Sequence, residues 1–243
     1  LLKKEFLNWN NIMTVNYNTS IVTDGLVACW DAANTKSYSG SGTTWTDITG
    51  KGHTATVNGA TFSTLNGGVW DFDNTNDYIE SPDADAWYPE TNYTAECWFN
   101  CDAIGGGGGW NAIFGQWPNS NVNATNSWIL EYVGTDLRFY YITSSGSALS
   151  YKSLGTVSTG AWHHFVFSKA GSTTKMFIDG IQVVDDFDIG TMQNGTGVFT
   201  IGGNVASYGW FNGKIPLIRI YKGKGFTAAE VTQNYNALKG RYG

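Results

Sequence analysis

Three groups of side chains could do chemistry in this 243-residue chain. The first is the carboxylates. Hydrolysis of a glycosidic bond with retention needs two of them roughly 5–5.5 Å apart across a sugar ring. Asp71 and Asp73 alternate but run into a turn, Asp185-Asp186-Phe187-Asp188 lies in a loop, and Glu96 is the lone acid of its strand. The second is His163 and His164, which are adjacent and so point to opposite faces of a strand. They cannot act as a pair, and no Ser/His/Asp or Cys/His constellation assembles around them with any specificity. On these residues the chain is expected not to be an enzyme. The third group suits binding. Trp110, Trp117, Tyr208 and Trp210 fall in or beside loops, with Asn111, Asn119 and Asn204 near them in sequence, the pairing of rings and amides that holds a sugar. Core packing and protein contact use the same rings. Asp73-Asn74-Thr75-Asn76-Asp77 is dense in oxygen donors, which suits Ca2+ at Asp73, Asn76 and above all Asp77. Asn and Asp are also ordinary turn formers.

These residues must be positioned by strands. The central stretch runs from Ala161 to Val184. Trp162 to Lys169 is rich in aromatic and β-branched residues, Ala170 to Thr173 is turn chemistry, Lys175 to Ile178 resumes, and Asp179-Gly180 offers a tight turn before Ile181 to Val184. Three antiparallel strands follow as a meander. Phe165 and Phe167 lie on one face, Trp162 and Val166 on the other, so the sheet is expected to be covered on both sides. Strands are also expected at Leu26 to Trp30, Thr54 to Val57, Thr91 to Asn100, Ala112 to Trp117, Ser127 to Tyr132, Leu137 to Ile142, Val198 to Ile201 and Gly213 to Tyr221, with a hairpin joining Val69 to Phe72 and Tyr78 to Glu80. Ser144 to Leu149 reads as a turn, and Asp185 to Gly197 as a loop. Thr227-Ala228-Ala229-Glu230 fits a capping box, and Val231, Tyr235 and Leu238 share one helical face. That helix is expected to stop at Gly240 and to pack on an edge or end of the sheets. Gly105 to Gly109 is turn material and no phosphate loop, since no Lys-Ser/Thr follows.

Trp162-His163-His164 followed by Met176-Phe177-Ile178-Asp179-Gly180 resembles the signature of concanavalin A-like, laminin-G/pentraxin-type jelly rolls. Trp70-Asp71-Phe72-Asp73 to Asp77-Tyr78-Ile79, Tyr93 to Phe99, Phe199 to Gly203 and Gly213 to Tyr221 resemble further strands of that family, in the right order from Thr23 to Leu238. The resemblance implies an all-β fold: a two-sheet antiparallel jelly-roll β-sandwich with one short C-terminal helix. It implies a buried, hydrogen-bonded histidine beside Trp162, and Ca2+ at the sandwich rim as in laminin-G and pentraxin relatives. The Glu-x-Asp-x-x-Glu run of the β-glucanase branch is absent. Asp24 to Gly59 resembles a version of the fold seen in tailed-phage structural proteins and marine bacterial surface proteins. Function transfers poorly across so versatile a fold.

Composition narrows the setting. Charged residues make up 14% of the chain, well below the usual quarter, and aromatics 15%, a balance suited to an extracellular or particle-surface β protein. A net charge of -6 with scattered Lys and Arg argues against nucleic acid. No stretch is apolar and long enough to insert in a membrane, and Leu1 to Asn11 lacks the apolar core of a signal peptide. Cys29, Cys97 and Cys101 are odd in number, and the last two are about 13 Å apart along one extended run, too far for a disulfide. Three buried thiols are expected, which favours assembly in a reducing cytosol. Residues 21–243 form one domain. Residues 1–20 read as an N-terminal docking arm anchored by Phe6, Trp9 and Tyr17, the alternative being a loose tail. The expected function is a virion structural or adhesion protein, a capsid decoration or fibre/knob component. It would be assembled in the host cytoplasm and held to a capsid or tail protein by the arm, with surface glycans as a further partner and no required cofactor. The alternatives are a carbohydrate-binding module of a bacterial cell-surface or secreted protein, and a glycoside hydrolase.

Overall fold

The strand Asn92–Cys101 shows how the chain is layered. Tyr93, Ala95, Cys97, Phe99 and Cys101 point into the main core, while Thr94, Glu96 and Trp98 point the other way and are buried too. A strand buried on both faces needs a layer on each side. The computed structural model, which describes residues 20–104, 109–119, 123–144, 149–203 and 209–243, supplies both.

In chain order the strands are β1 (Leu26–Asp31), β2 (Thr44–Trp45), β3 (Ala55–Asn58), β4 (Thr61–Ser63), β5 (Val69–Asp73), β6 (Tyr78–Ser81), β7 (Asn92–Cys101), β8 (Trp110–Gly115), β9 (Trp128–Val133), β10 (Asp136–Ile142), β11 (Leu149–Thr156), β12 (Trp162–Ala170), β13 (Thr173–Ile178), β14 (Ile181–Phe187), β15 (Phe199–Ile201) and β16 (Asn212–Lys222), followed by helix α1 (Ala228–Tyr242). The first sheet runs β14-β13-β12-β7-β16-β5-β4, with β1 beside the second half of β16. The second runs β11-β10-β9-β8-β15-β6-β3-β2. All pairings are antiparallel, and the whole is a jelly-roll sandwich with one C-terminal helix, as expected. Pro216 sits inside β16, where a register shift between Lys214 and Leu217 accommodates a residue that cannot donate to the ladder.

Indole and phenyl rings fill the space between the sheets. Trp30 lies 5.9 Å from Phe199 and 5.5 Å from Trp87, Phe114 meets Trp128 edge-on at 5.4 Å, and Phe139 stacks on Phe167 at 4.5 Å. Such pairs contribute about 0.5–1.5 kcal/mol each beyond simple burial. The meander β12–β13–β14 forms as read, with Phe165 and Phe167 inside and Val166 and Trp162 outside. The three cysteines are free and buried.

Four expectations are corrected. First, β5 and β6 are not a hairpin. β5 pairs with β4 and β16 in the first sheet, β6 with β3 and β15 in the second, and Asp73–Asp77 carries the chain across the sandwich. The local turn chemistry is the same for either path, and the choice is made by distant partners. Second, Leu149–Thr156 is a strand, because β10 offers it a ladder; as an edge strand it buries little and carries a weak apolar pattern. Third, β14 extends to Phe187. Fourth, α1 lies across the outer face of the first sheet, not at its edge. Val231 joins Val22, Val166, Phe177, Tyr221 and Phe226, while Tyr235, Leu238 and Tyr242 pack with Trp98, Trp162 and Leu217. The helix also continues through Gly240 to Tyr242. A mid-helix glycine costs about 1 kcal/mol, which is offset when Arg241 binds Asp31 and the carbonyls of Asn66 and Gly68 and Tyr242 stacks 4.5 Å from Trp98. The capping box at Thr227 and Glu230 forms.

Candidate functional site

The outer face of the second sheet combines rings with an unusual acid. Side chains alternate across a strand, so Leu130 and Tyr132 of β9 enter the core and Glu131 between them points outward. Register places Ala112 of β8 on one side of Glu131 and Arg138 of β10 on the other. Tyr140 and Tyr151 lie opposite each other on the same face, 5.1 Å apart. Arg138 donates from Nε to Asp136 at 2.7 Å and from Nη1 to the Tyr140 hydroxyl at 3.0 Å, and its guanidinium lies 4.7 Å over the Tyr151 ring. Ser153 donates to the other oxygen of Asp136 at 2.6 Å. Tyr151 is 49% exposed and Leu149 45%, a presented apolar rim.

Glu131 is only 7% exposed, and no hydrogen bond reaches its carboxyl among the described residues. Burial pushes its pKa up to about 8, against the pull of Arg138. At neutral pH it is therefore mainly a protonated carboxyl, able to donate as well as accept. A perturbed acid beside exposed rings and a guanidinium makes this face the candidate site. Glu131 was not singled out from sequence. Its signal was an acid set in the otherwise apolar and aromatic run Trp128 to Val133.

Of the predicted ring residues, Trp110 and Trp210 reach this face together. Trp110 is half-buried at the start of β8, and the chain at Gly209–Trp210 is tied to β8 by Ala112 N–H donating to Gly209 O at 2.7 Å and Asn111 Nδ2 donating to Trp210 O at 2.7 Å. Trp210 stacks on Tyr78, 6.2 Å away. Trp117 lies on the same face but is covered: it is 6% exposed and packs with Ala112, Ile129 and Ile142, with Tyr140 against that cluster. Tyr208, Phe6, Trp9 and Tyr17 lie outside the described residues.

The Asp73–Asp77 segment is built as a turn. Asp77 points inward and accepts the Asp73 N–H at 3.1 Å, Asp73 accepts the Thr75 N–H at 2.9 Å, and Asn74 adopts φ 65°. Asp73 and Asn76 stay exposed. Among the described residues no group of three or more His, Cys, Asp and Glu side chains is spaced to hold a metal ion. No helix among them is long and apolar enough to cross a membrane.

The histidines separate as predicted, yet each gains partners that sequence did not reveal. His163 Nδ1 lies 2.8 Å from Asp179 and its Nε2 2.9 Å from the Ser158 hydroxyl, so a Ser/His/Asp arrangement does assemble, contrary to expectation. Nε2 is also 3.2 Å from the Ser158 carbonyl, and Asp179 accepts the His164 N–H at 2.8 Å, so the ring ties the loop entering β12 to the β13–β14 turn. His164 is fully buried against Glu96, 3.1 Å away. Glu96 is not alone: Arg219, Tyr221 and Asn234 also donate to its oxygens at 2.8, 3.2 and 3.0 Å, and Asn234 accepts the Val22 N–H. Burial by itself would raise the Glu96 pKa, but Arg219 and His164 hold it down to about 2. This network locks α1 and the start of the domain to the first sheet.

The fold is that of a lectin-like β-sandwich. Residues 73–232 match the Laminin_G_3 model, described as the concanavalin A-like lectin/glucanases superfamily, and the chain belongs to that family. No curated protein matches the sequence. Among solved structures, the sialidase of Trypanosoma rangeli shares the fold with a TM-score of 0.68 at 17% identity, over 92% of this chain and 34% of that one. The binding domain of Paraclostridial Mosquitocidal Protein 1 matches with a TM-score of 0.67 at 13% identity, over 88% and 52% of the two chains. The Botulinum neurotoxin type G receptor binding domain matches with 0.62 at 14%, over 87% and 51%. The chain thus spans about a third of the sialidase and about half of each toxin domain. The expectation that it is not an enzyme is overturned: structures sharing its sandwich include sialidases as well as toxin binding domains, so this architecture does not set it apart from enzymes. The virion reading draws no support from the family or from these structures.

Proposed function

We propose that the outer face of the second sheet binds glycans. Sugar rings would stack on Tyr151, Tyr140 and the Trp110–Trp210 end, with Glu131 and Arg138 supplying hydrogen bonds. The observation that carries this reading is Glu131, an acid held without a hydrogen bond in a ring-lined face where a core residue would be apolar. Further support comes from membership of a lectin-containing superfamily and from the toxin receptor-binding domain that shares the fold. The test is a glycan array with the wild type, Tyr151→Ala and Glu131→Gln, followed by calorimetry on any hit. Stacking contributes about 0.5–1.5 kcal/mol per ring, so Tyr151→Ala is expected to weaken binding roughly 3- to 10-fold. Silence of the wild type across the array, or affinity indifferent to both substitutions, would refute the proposal.

A further inference from the structure

Ser158, His163 and Asp179 meet at one end of the sandwich, where β12 begins and β13 gives way to the turn before β14. His163 Nδ1 lies 2.8 Å from Asp179 Oδ2, and its Nε2 2.9 Å from Ser158 Oγ. A carboxylate only accepts, so Nδ1 carries the proton of the neutral ring and Nε2 is left as a base. The Ser158 carbonyl, 3.2 Å from Nε2, has no proton to give it, whereas the Ser158 hydroxyl does. Asp179 is held in turn through its other oxygen, which accepts the His164 N–H at 2.8 Å. The His163 ring rests against Phe99, 5.8 Å away. The turn that carries the serine is anchored on both sides: the Tyr132 hydroxyl donates to Val157 O at 3.3 Å, and the Gly160 N–H to Cys101 O at 2.7 Å. Ser158 is exposed, while the His163 side chain is only 12% exposed. A sheltered base thus takes a hydrogen bond from a serine that solvent can reach.

We propose that this constellation hydrolyses short-chain carboxylic esters, with Ser158 as nucleophile, His163 as general base and Asp179 as the positioning residue that fixes the ring's tautomer. Ser158 Oγ attacks the ester carbonyl carbon. A C–Oγ bond forms, the bond from that carbon to the alcohol oxygen breaks, and the Oγ proton passes to His163 Nε2 and on to the leaving alcohol. Water then attacks the acyl carbon, its proton returns through Nε2 to Oγ, and the carboxylic acid is released. Water is the sole co-reactant. Asp179 balances the imidazolium that forms in each half. The backbone N–H groups of Ser158 and Thr159 donate to no group among the described residues, which leaves them for the oxyanion. Because the serine stands on an exposed turn, the acyl group it takes is small and the alcohol stays in solvent. The site shares no residue with the second-sheet face, so either can fail without the other.

The test uses the full chain in two assays. A fluorophosphonate probe is incubated with the protein and the modified residue is mapped by peptide mass spectrometry; p-nitrophenyl acetate hydrolysis is followed by absorbance. The probe is expected to label Ser158, and to do so in the native protein and not in urea, where the base is lost. A positioned general base contributes on the order of 100-fold or more, so His163→Gln should slow labelling by at least that factor. Ser158→Ala, a small change at an exposed site, should abolish labelling and bring ester hydrolysis down to the rate of the urea-unfolded protein. If His163→Gln does not fold, the mapped peptide and Ser158→Ala decide alone. A native Ser158 that the probe does not modify, labelling that persists in urea, or ester turnover unchanged in Ser158→Ala would overturn the proposal. Tyr151→Ala, on the second-sheet face, should leave both readouts as they are in the wild type, and a loss there would equally count against a separate site.

Discussion

Replacing Glu131 with Gln should make the protein more stable at neutral pH and leave it unchanged in acid. In the unfolded chain the carboxyl titrates near its ordinary 4.5, whereas in the folded chain burial moves it to about 8. Between those values the unfolded state releases a proton that the folded state keeps, so stability is fully present below about 4.5, falls as pH rises and levels off above 8. Each pH unit in that window costs about 1.4 kcal/mol. At pH 7 the accumulated cost is about 3 kcal/mol relative to pH 4.5. Gln has nearly the same shape and nothing to ionise, so Glu131→Gln recovers that amount. For a chain of this length about 3 kcal/mol corresponds to a rise in Tm of roughly 6–12 °C. The assay is urea unfolding of both proteins at pH 4.5, 6, 7 and 8. Every other titrating group is common to the two, so the difference isolates Glu131. A gap that does not widen with pH would refute the reasoning and remove the main ground for placing a ligand on this face. A stabilised variant that has lost glycan affinity is the trade expected when an acid is kept in an unfavourable site for function.

Three further outcomes follow from the packing. Glu96→Gln leaves Arg219 buried without its counter-charge and should cost about 3–5 kcal/mol by chemical denaturation. Because the Glu96 pKa is depressed to about 2, its stabilising contribution is present above about 4.5 and lost as pH falls toward 2, and the variant should show a shallower acid limb of stability than the wild type. Gly202 has φ 74°, and a Cβ there would stand 2.1 Å from the Phe72 ring; Gly202→Ala should cost about 2–4 kcal/mol, read from urea midpoints. Cys29, with a pKa raised to about 11 by burial, and Cys97 and Cys101, raised in the same way, should resist iodoacetamide in the native protein at pH 8 and react within minutes in urea, as mass spectrometry would show.

The strands were legible wherever their own residues carried the pattern. Trp162 to Ala170 and Asn92 to Cys101 alternate with rings on both faces, and Thr227 to Glu230 announces its helix, because alternation and capping are settled by neighbours a few residues apart. From these the two-layer architecture and its family could be read before any pairing was known. Pairing itself is a matter of distant partners. Only the folded chain sends β5 and β6 to different sheets, draws Leu149–Thr156 onto β10 as an edge, and lays α1 over Trp98. The candidate sites depend on the same step. The sequence contains Glu131, Arg138 and Tyr151, but the pKa of an acid is set by what surrounds it. Burial of that carboxyl away from hydrogen-bond donors is a property of the assembled sheet, and no local run of residues encodes it.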